Sequence, residues 1–187
     1  MSKYPVYSLE SAPAESKPVL HELQEAFGLV PNVAGVMAGS ATLLAAFMGV
    51  FQKVHSGTFN EAQIQILLLT NAVTNRSAWP VAFHSALALK AGVSAADVAA
   101  IRARQLPAAR DFAALSSLAR AMIERRGHVG ERDLKAFFEA GFAVEQALEL
   151  ITVSAASTMT NYAASLAQPA LEAPFAAHAW SEPPNDG

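Results

Sequence analysis

Apolar side chains recur every three or four residues through most of the chain, which is the spacing of one face of an α-helix. Such a pattern runs from Ser40, a favourable N-cap, to Ser56. Another begins at Asn60, which can form a capping box with Gln63, and continues through an almost wholly apolar stretch from Ile64 to Leu69. This stretch belongs in the core or in a subunit interface. Further helices are predicted over Val19 to Phe27, Ala78 to Ala91, Ser94 to Gln105, Pro107 to Arg126, Glu131 to Ala140 and Val144 to Leu166.

The order of these elements indicates an all-α fold with polar caps at several helix starts. Ser77 is a plausible N-cap for the helix that opens with Ala78, and Ser94 for the next one. A faint similarity appears when the chain is shifted by 84 positions, so that Glu61 meets Glu145. Because alanine-rich helices match one another easily, this pattern indicates at most a weak internal two-fold repeat.

Changes in composition predict three parts along the chain. Residues 1–18 are rich in Ser, Pro and Lys and form an N-terminal arm, residues 19–168 form one helical domain, and residues 169–187 form a proline-containing C-terminal arm. We expect this last arm to be extended and to be anchored where Phe175 and Trp180 find pockets. Arms of this kind often pack against a neighbouring subunit.

The absence of cysteine restricts the chemistry open to this chain of 187 residues. It excludes disulfides, thiolate metal sites, iron–sulfur ligation and every mechanism that uses a thiol nucleophile or thiol redox couple. The formal net charge of −3 gives no general attraction for nucleic acid or for an anionic membrane. The basic residues between Arg102 and Lys135 are interleaved with acidic ones, so this stretch predicts a solvated helix face.

The longest uncharged stretch, Leu29 to Phe51, does not predict a membrane span. Pro31 and Gly39 are among the residues that divide it into two shorter pieces, which we interpret as buried helices. The first five residues contain a lysine but no apolar segment follows them, so they do not resemble a signal peptide. We therefore expect a cytoplasmic protein with neither a membrane nor a nucleic-acid partner.

Four short segments carry a resemblance to a known family. They are Phe27 to Asn32 (FGLVPN), Ser40 to Leu44 (SATLL), Asn75 to His84 (NRSAWPVAFH) and Gly92 to Asp97 (GVSAAD). In order and spacing they resemble the carboxymuconolactone decarboxylase and AhpD-like alkylhydroperoxidase family over most of residues 20–170. The resemblance implies an all-helical AhpD-like fold that assembles into dimers, trimers or hexamers.

The resemblance also implies where an active site would lie, and there the chain departs from the pattern of the peroxidase members. Those members carry Asn-x-Cys-x-x-Cys-x-x-x-His, with a glutamate twelve residues before the first cysteine. The matching positions here are Ser77, Pro80, His84 and Gln65, and Trp79 replaces a second histidine. Only the terminal histidine of the pattern is retained.

These replacements exclude thiol peroxidase chemistry. A peroxidatic residue must form a thiolate, attack peroxide and condense as a sulfenic acid with a resolving thiol, and Ser77 can do none of this. Gln65 cannot ionise, so it cannot supply the proton relay of a glutamate. The lactone chemistry of the decarboxylase members needs proton transfer and charge stabilisation instead, which leaves an acid–base enzyme open.

His84 is the candidate catalytic residue, since an imidazole can act as acid or base near neutral pH. It lies two helical turns, roughly 10 Å, beyond Ser77, which is too far for a direct Ser–His dyad. The alternative is a buried structural histidine hydrogen-bonded near a subunit interface. No Arg or Glu partner for His84 is evident in the sequence. The candidate substrate-binding residues are Gln65, Ser77 and Asn161 as polar groups, with Trp79 and Phe83 as apolar walls that could equally be ordinary core.

No metal or cofactor site is predicted. The five histidines show no close pairing, and His21 with Glu25 would make at most half of a site. There is also no glycine-rich phosphate loop and no Gly-x-Ser-x-Gly elbow.

Two functions from different classes remain. The first is a cofactor-free acid–base enzyme of the carboxymuconolactone decarboxylase type, acting on a small organic acid or lactone with His84 in proton transfer. The alternative is a catalytically inactive member with a degenerate active site, retained as an oligomeric ligand-binding or scaffold protein. In both cases we expect a homo-oligomer formed through the apolar helices around residues 40 to 90.

Overall fold

A computed structural model describes residues 4–183, and in this part of the chain all regular structure is helical. The all-α fold predicted from the sequence is confirmed. The α-helices are Lys17–Phe27 (α1), Asn32–Met37 (α2), Ala41–His55 (α3), Glu61–Thr74 (α4), Ala78–Lys90 (α5), Ala95–Arg102 (α6), Arg110–Glu124 (α7), Glu131–Glu139 (α8) and Val144–Ala167 (α9). Short 3-10 helices occur at Ala14–Ser16 and Ala173–His178.

Helix α4 is the centre of the core because it is apolar on nearly every side. All residues from Ile64 to Val73 are buried, and the helix packs against α5, α7 and α9. Its start is fixed by the predicted capping box, in which the backbone N–H groups of Asn60 and Gln63 each donate to the other's side chain at 3.0 Å. The apolar stretch that the sequence assigned to core or interface lies in the core of the single chain.

A tight turn between α4 and α5 positions the candidate site. Arg76 adopts a left-handed conformation with φ of 55°, and α5 then packs along α4, bringing Gln65 opposite His84. Ser77 occupies the N-cap position, but the predicted capping bond is absent. The reason is local, since the third helical position is Pro80, which has no N–H to donate. The Ser77 hydroxyl donates instead to the carbonyl of Asn161 at 3.0 Å.

Both terminal segments pack on the chain's own helices. In the N-terminal arm the Tyr7 N–H donates to the Gly35 carbonyl, and a Cβ at position 35 would lie 2.7 Å from the Tyr7 carbonyl oxygen, so only glycine permits this approach. The C-terminal arm is not simply extended as expected, since it contains a 3-10 helix. Phe175 and Trp180 anchor it against α5 and α6 of the same chain, while residues 184–187 lie outside the described part.

Two predicted helices are longer than the observed ones. The helix predicted from Ser94 to Gln105 ends at Arg102, because the chain turns at Arg104 with a positive φ of 61°. The helix predicted from Pro107 begins only at Arg110, since Asp97 fixes the preceding loop by accepting the N–H of Ala108 at 2.7 Å. Ser94 caps α6 as predicted, accepting the N–H of Asp97.

Two wider observations concern the whole fold. Within residues 4–183 no helix is both long and apolar enough to cross a membrane. The shift of 84 residues relates α4 to the first half of α9, and these two helices pack together. The similarity does not extend further, because the turn at residues 75–77 corresponds after the shift to residues 159–161, where α9 continues without interruption.

Candidate active site

Two cavities meet at the imidazole of His84. The first, the polar cavity, has a volume of about 300 Å³ and is open at the surface. Its polar side chains are His55, Glu61, Gln65, His84 and Lys90. The second, the apolar cavity, has a volume of about 50 Å³ and lies among α1, α2, α3 and α5. The residues common to both cavities are Phe27, Phe51, Leu68, Phe83 and His84.

The apolar cavity is lined almost entirely by carbon. Trp79 and Phe83 stack with ring centroids 5.0 Å apart, and Phe27 meets Phe83 edge to face at 5.3 Å. Leu23, Met37 and Phe47 complete much of the wall. One water molecule needs roughly 10–15 Å³ of cavity volume measured in this way, so the apolar cavity has room for a few waters or one small apolar group. It could therefore hold the non-polar part of a small ligand.

Four side chains in contact with one another lead from the surface of the polar cavity to the buried His84, which is the last of the four. His84 Nδ1 lies 3.0 Å from Gln65 Oε1, and Gln65 Nε2 donates to Glu61 Oε1 at 2.7 Å. The other oxygen of Glu61 lies 3.3 Å from His55 Nδ1. Gln65 and Glu61 are one helical turn apart on α4, which places both amide and carboxylate on the face turned toward α5. His84 thus has a carboxylate partner that acts through an amide, which the sequence did not reveal.

This series of side-chain contacts fixes the tautomer of His84. A carboxylate only accepts hydrogen bonds, so the Gln65 amide must direct its NH₂ group toward Glu61 and its oxygen toward His84. The Nδ1 atom must then carry the hydrogen, because an amide oxygen cannot donate. Neutral His84 therefore has its lone pair on Nε2, for which residues 4–183 provide no hydrogen-bonding partner.

His84 is neutral at physiological pH. Burial lowers its pKa from 6.5 to about 3, and the nearby His55 adds a smaller electrostatic contribution in the same direction. The residue is only 8% exposed, and Gln65, unlike a carboxylate, offers no charge that would stabilise an imidazolium. The Nε2 atom is accordingly an acceptor of hydrogen bonds, and a weak base until some negative charge enters the cavity.

The predicted binding residues fall into two groups. Gln65, Trp79 and Phe83 meet at or beside His84 and line one or both cavities. Ser77 and Asn161 line neither cavity; they are paired with each other between α5 and α9, where the Asn161 amide also donates to Ser157. They form a buried structural contact outside these two cavities.

Several site residues escaped the sequence analysis. Glu61 carried a usable signal, because its spacing of four residues from Gln65 puts both on one helix face. His55 ends α3 and Lys90 ends α5, and only the packing of those helices brings the two side chains to one cavity. Among residues 4–183 no three His, Asp or Glu side chains converge as metal ligands would.

The C-terminal segment 170–180, here called the strap, borders this site. Both oxygens of Glu172 accept hydrogen bonds, one from the backbone N–H of Asn32 and one from the indole N–H of Trp79 at 2.9 Å. Phe175 packs edge to face on Phe83 with ring centroids 5.0 Å apart. The strap therefore holds the aromatic wall of the apolar cavity from outside.

The comparison with protein families agrees with the resemblance seen in the sequence. The model of the carboxymuconolactone decarboxylase family matches residues 41–124. These 84 residues are a little under half of the 187 in the chain. The matched region includes α3 to α7, and with them His55, Glu61, Gln65, His84 and Lys90. Helices α1, α2 and α9, which complete the lining of the apolar cavity, lie outside the matched residues. No curated protein matches the chain significantly.

Solved structures share the fold of this chain at low sequence identity. An AhpD-core, uncharacterized peroxidase-related protein from Ralstonia eutropha has 20% identity and a TM-score of 0.81, with 93% of this chain and 94% of that chain covered. The debrominase Bmp8 has 17% identity and a TM-score of 0.74, with 88% and 90% covered. A cysteine-to-alanine variant of Bmp8 in complex with 2,3,4-tribromopyrrole has 17% identity and a TM-score of 0.75, with 95% and 97% covered. The AhpD-like fold is thereby established.

Proposed function

We propose that the protein is an acid–base enzyme that acts on a small organic acid or lactone, with Nε2 of His84 moving the proton. One observation carries this proposal: a buried imidazole of fixed tautomer lies where a polar and an apolar cavity meet. A structural histidine needs only a hydrogen-bonding partner, whereas this one also lines two spaces. The match to the decarboxylase family supports the reaction class.

The polar cavity suits a ligand that carries a carboxylate. Lys90 and His55 bring potential positive charge to its lining, and Glu61 is already engaged by Gln65 and His55. An anion bound there favours the imidazolium form of His84 and raises its pKa from about 3 toward the working range of a general base. The substrate would thus activate the residue that acts on it.

The proton steps of such a reaction balance without a redox partner. In an isomerisation, Nε2 takes a proton from a carbon next to a carbonyl, and the electron pair moves into the enolate. The imidazolium then returns the same proton to another carbon. In a decarboxylation the electron pair comes from the breaking bond to CO₂, and protonation of the carbon consumes one proton from solvent.

The test is turnover of small carboxylated lactones and unsaturated acids, followed by NMR in D₂O to detect deuterium at carbon. We expect His84→Asn to lower the rate by about 10²-fold or more, as removal of a general acid–base typically does. The matched control is His128→Asn, because His128 is exposed in the loop before α8 and should not affect turnover. Equal rates for wild type and His84→Asn would reject the assigned role.

A catalytically inactive ligand-binding or scaffold protein is the second candidate. The low pKa of His84 favours it, since a neutral imidazole that no ligand can protonate acts only as a hydrogen-bond acceptor. Small aromatic compounds are useful probes here, because a debrominase of the same fold is known in complex with 2,3,4-tribromopyrrole. Binding of lactones or aromatic probes without any turnover or deuterium exchange would support this second function.

A further inference from the structure

The outer face of α9 carries large apolar side chains that nothing in residues 4–183 covers. Val144, Leu148, Ile151, Tyr162 and Leu166 are exposed by 66%, 63%, 54%, 64% and 66%. With exposed Ala155 included, their spacings are four, three, four, seven and four residues, and partly buried Thr158 and Met159 lie within the seven-residue step. All of them therefore lie on one face of a helix of 24 residues. We call these residues the α9 stripe. A single exposed leucine is ordinary, but a continuous stripe of this length marks an interaction surface.

Four of the five large side chains are placed symmetrically about Ala155, and the fifth, Ile151, has partly buried Met159 at the mirrored position. Counting outward, Val144 and Leu166 are each eleven residues from Ala155, and Leu148 and Tyr162 are each seven residues away. If two copies of α9 cross antiparallel at Ala155, Val144 faces Leu166 of the partner and Leu148 faces Tyr162. Alanine at the crossing point permits close approach of the two backbones. A self-complementary patch of this kind is what a two-fold homodimer requires.

We propose that a second copy of this chain covers the α9 stripe, packed antiparallel about a two-fold axis near Ala155. The register of α9, its charges and its exposed apolar area all favour a second copy as the occupant. Ala155, Leu148 and Tyr162 form the centre of this interface, and no ionisable carboxylate or cation lies within the stripe.

The charges of α9 distinguish antiparallel from parallel packing. Its only charged side chains at neutral pH are Glu145 and Glu149, both near the N-terminus. Parallel packing would bring the glutamates of two copies together, whereas antiparallel packing separates the two Glu145 side chains by roughly 30 Å, from a rise of about 1.5 Å per residue. Antiparallel helices also oppose their dipoles, which favours the same arrangement.

The exposed area approaches that of a stable dimer. The five large side chains expose on the order of 500 Å² per protomer, compared with about 800 Å² per partner in a typical specific interface. A groove that runs beside Leu166, lined also by Tyr7, Leu43 and Ala163, extends the apolar surface at the C-terminal end of the stripe. The partner's Val144 would reach this end.

This surface differs from the interface expected around residues 40 to 90. Helices α4 and α5 are largely buried inside the chain, and only α3 presents an outer face there, formed by small residues such as Ala45, Ala46 and Gly49. The α9 stripe offers much more apolar surface than this face.

Light scattering coupled to size-exclusion chromatography, at 1–100 μM of the full chain, tests the proposal. We expect wild type to elute as a dimer or as a larger assembly that contains this dimer. Leu148→Glu or Tyr162→Lys alone should raise the dissociation constant of the dimer on the order of 10²-fold. The double variant L148E/Y162K should regain the dimer, because each carboxylate then faces an ammonium of the partner. Within one protomer the two positions are about 21 Å apart along the helix, so they cannot pair internally.

Ala46→Glu is the matched control, since it adds the same charge to the exposed face of α3. It should leave the mass unchanged, and circular dichroism of every variant checks the fold. A monomeric wild type at 100 μM would overturn the proposal. It would also be overturned if Leu148→Glu left the assembly intact, or if the double variant were no better than the single ones.

Discussion

At the scale of single residues, the proton on the His84 ring is placed by a carboxylate that does not touch the ring. Glu61 orients the Gln65 amide, and the amide oxygen then requires a hydrogen on Nδ1 of His84. A glutamate at position 65 would be charged and would stabilise imidazolium directly. Glutamine instead transmits only orientation, so Glu61 is a positioning residue and His84 stays neutral.

Replacement of Glu61 by glutamine should therefore change the tautomer of His84. The glutamine side chain at position 61 can either donate to or accept from Gln65, so the Gln65 amide is free to flip and present its NH₂ group to Nδ1. We expect the ¹⁵N imidazole shifts of wild type to report protonated Nδ1, and those of Glu61→Gln to move toward protonated Nε2. Glu25→Gln on α1 is the control and should leave the signals unchanged. Protonated Nε2 in the wild type would contradict the assignment.

At the scale of elements, the strap and α5 depend on each other. Trp79 and Trp180, the two tryptophans of the chain, both donate indole hydrogen bonds that hold the strap, one to Glu172 and one to the Arg102 carbonyl. Arg102 in turn donates to the carbonyls of His178 and Ala179, both at 2.9 Å. Tryptophan fluorescence consequently reports on both ends of the strap.

Glu172→Ala should loosen the strap at its first anchor. The change leaves the N–H groups of Asn32 and Trp79 without their acceptor, which costs about 1–3 kcal/mol of unfolding free energy. We expect a red-shifted emission and stronger acrylamide quenching, because Trp79 becomes accessible to water.

Glu124→Ala provides the comparison for that experiment. It removes the more exposed Arg104–Glu124 ion pair and should change the free energy of unfolding by well under about 1 kcal/mol, with no change in emission. If Glu172→Ala also left emission and stability unchanged, the strap would not depend on this carboxylate.

The sequence predicted the elements better than the site because helices depend on local signals. Ser40, Asn60 and Ser94 cap as predicted, since an N-cap bond needs only residues three positions apart. Ser77 differs because Pro80, three positions on, has no N–H to donate. The Ser77 hydroxyl donates instead to a partner 84 residues away, and the fold decides such contacts. For the same reason Gln65 and His84 were recognised only through the family pattern, while His55 and Lys90 were missed.

At the scale of the whole molecule, a neutral His84 in the native state links global stability to pH. In the unfolded chain its pKa returns to about 6.5, whereas burial holds it at about 3 in the fold. Between these values the unfolded state binds more protons, so the free energy of unfolding rises with pH. The contribution is fully present above pH 6.5 and is lost progressively as the pH falls toward 3.

Chemical denaturation at pH 7, 6 and 5 measures this linkage directly. We expect His84 to lower the unfolding free energy of wild type by about 2 kcal/mol between pH 7 and pH 5, a loss absent from His84→Asn. His128→Asn should keep the wild-type slope, since its exposed ring has nearly the same surroundings in both states. Only the slopes are compared, so any constant cost of a buried asparagine cancels. Identical slopes for wild type and His84→Asn would mean that His84 is readily protonated in the fold, and the proposed activation by a bound anion would lose its basis.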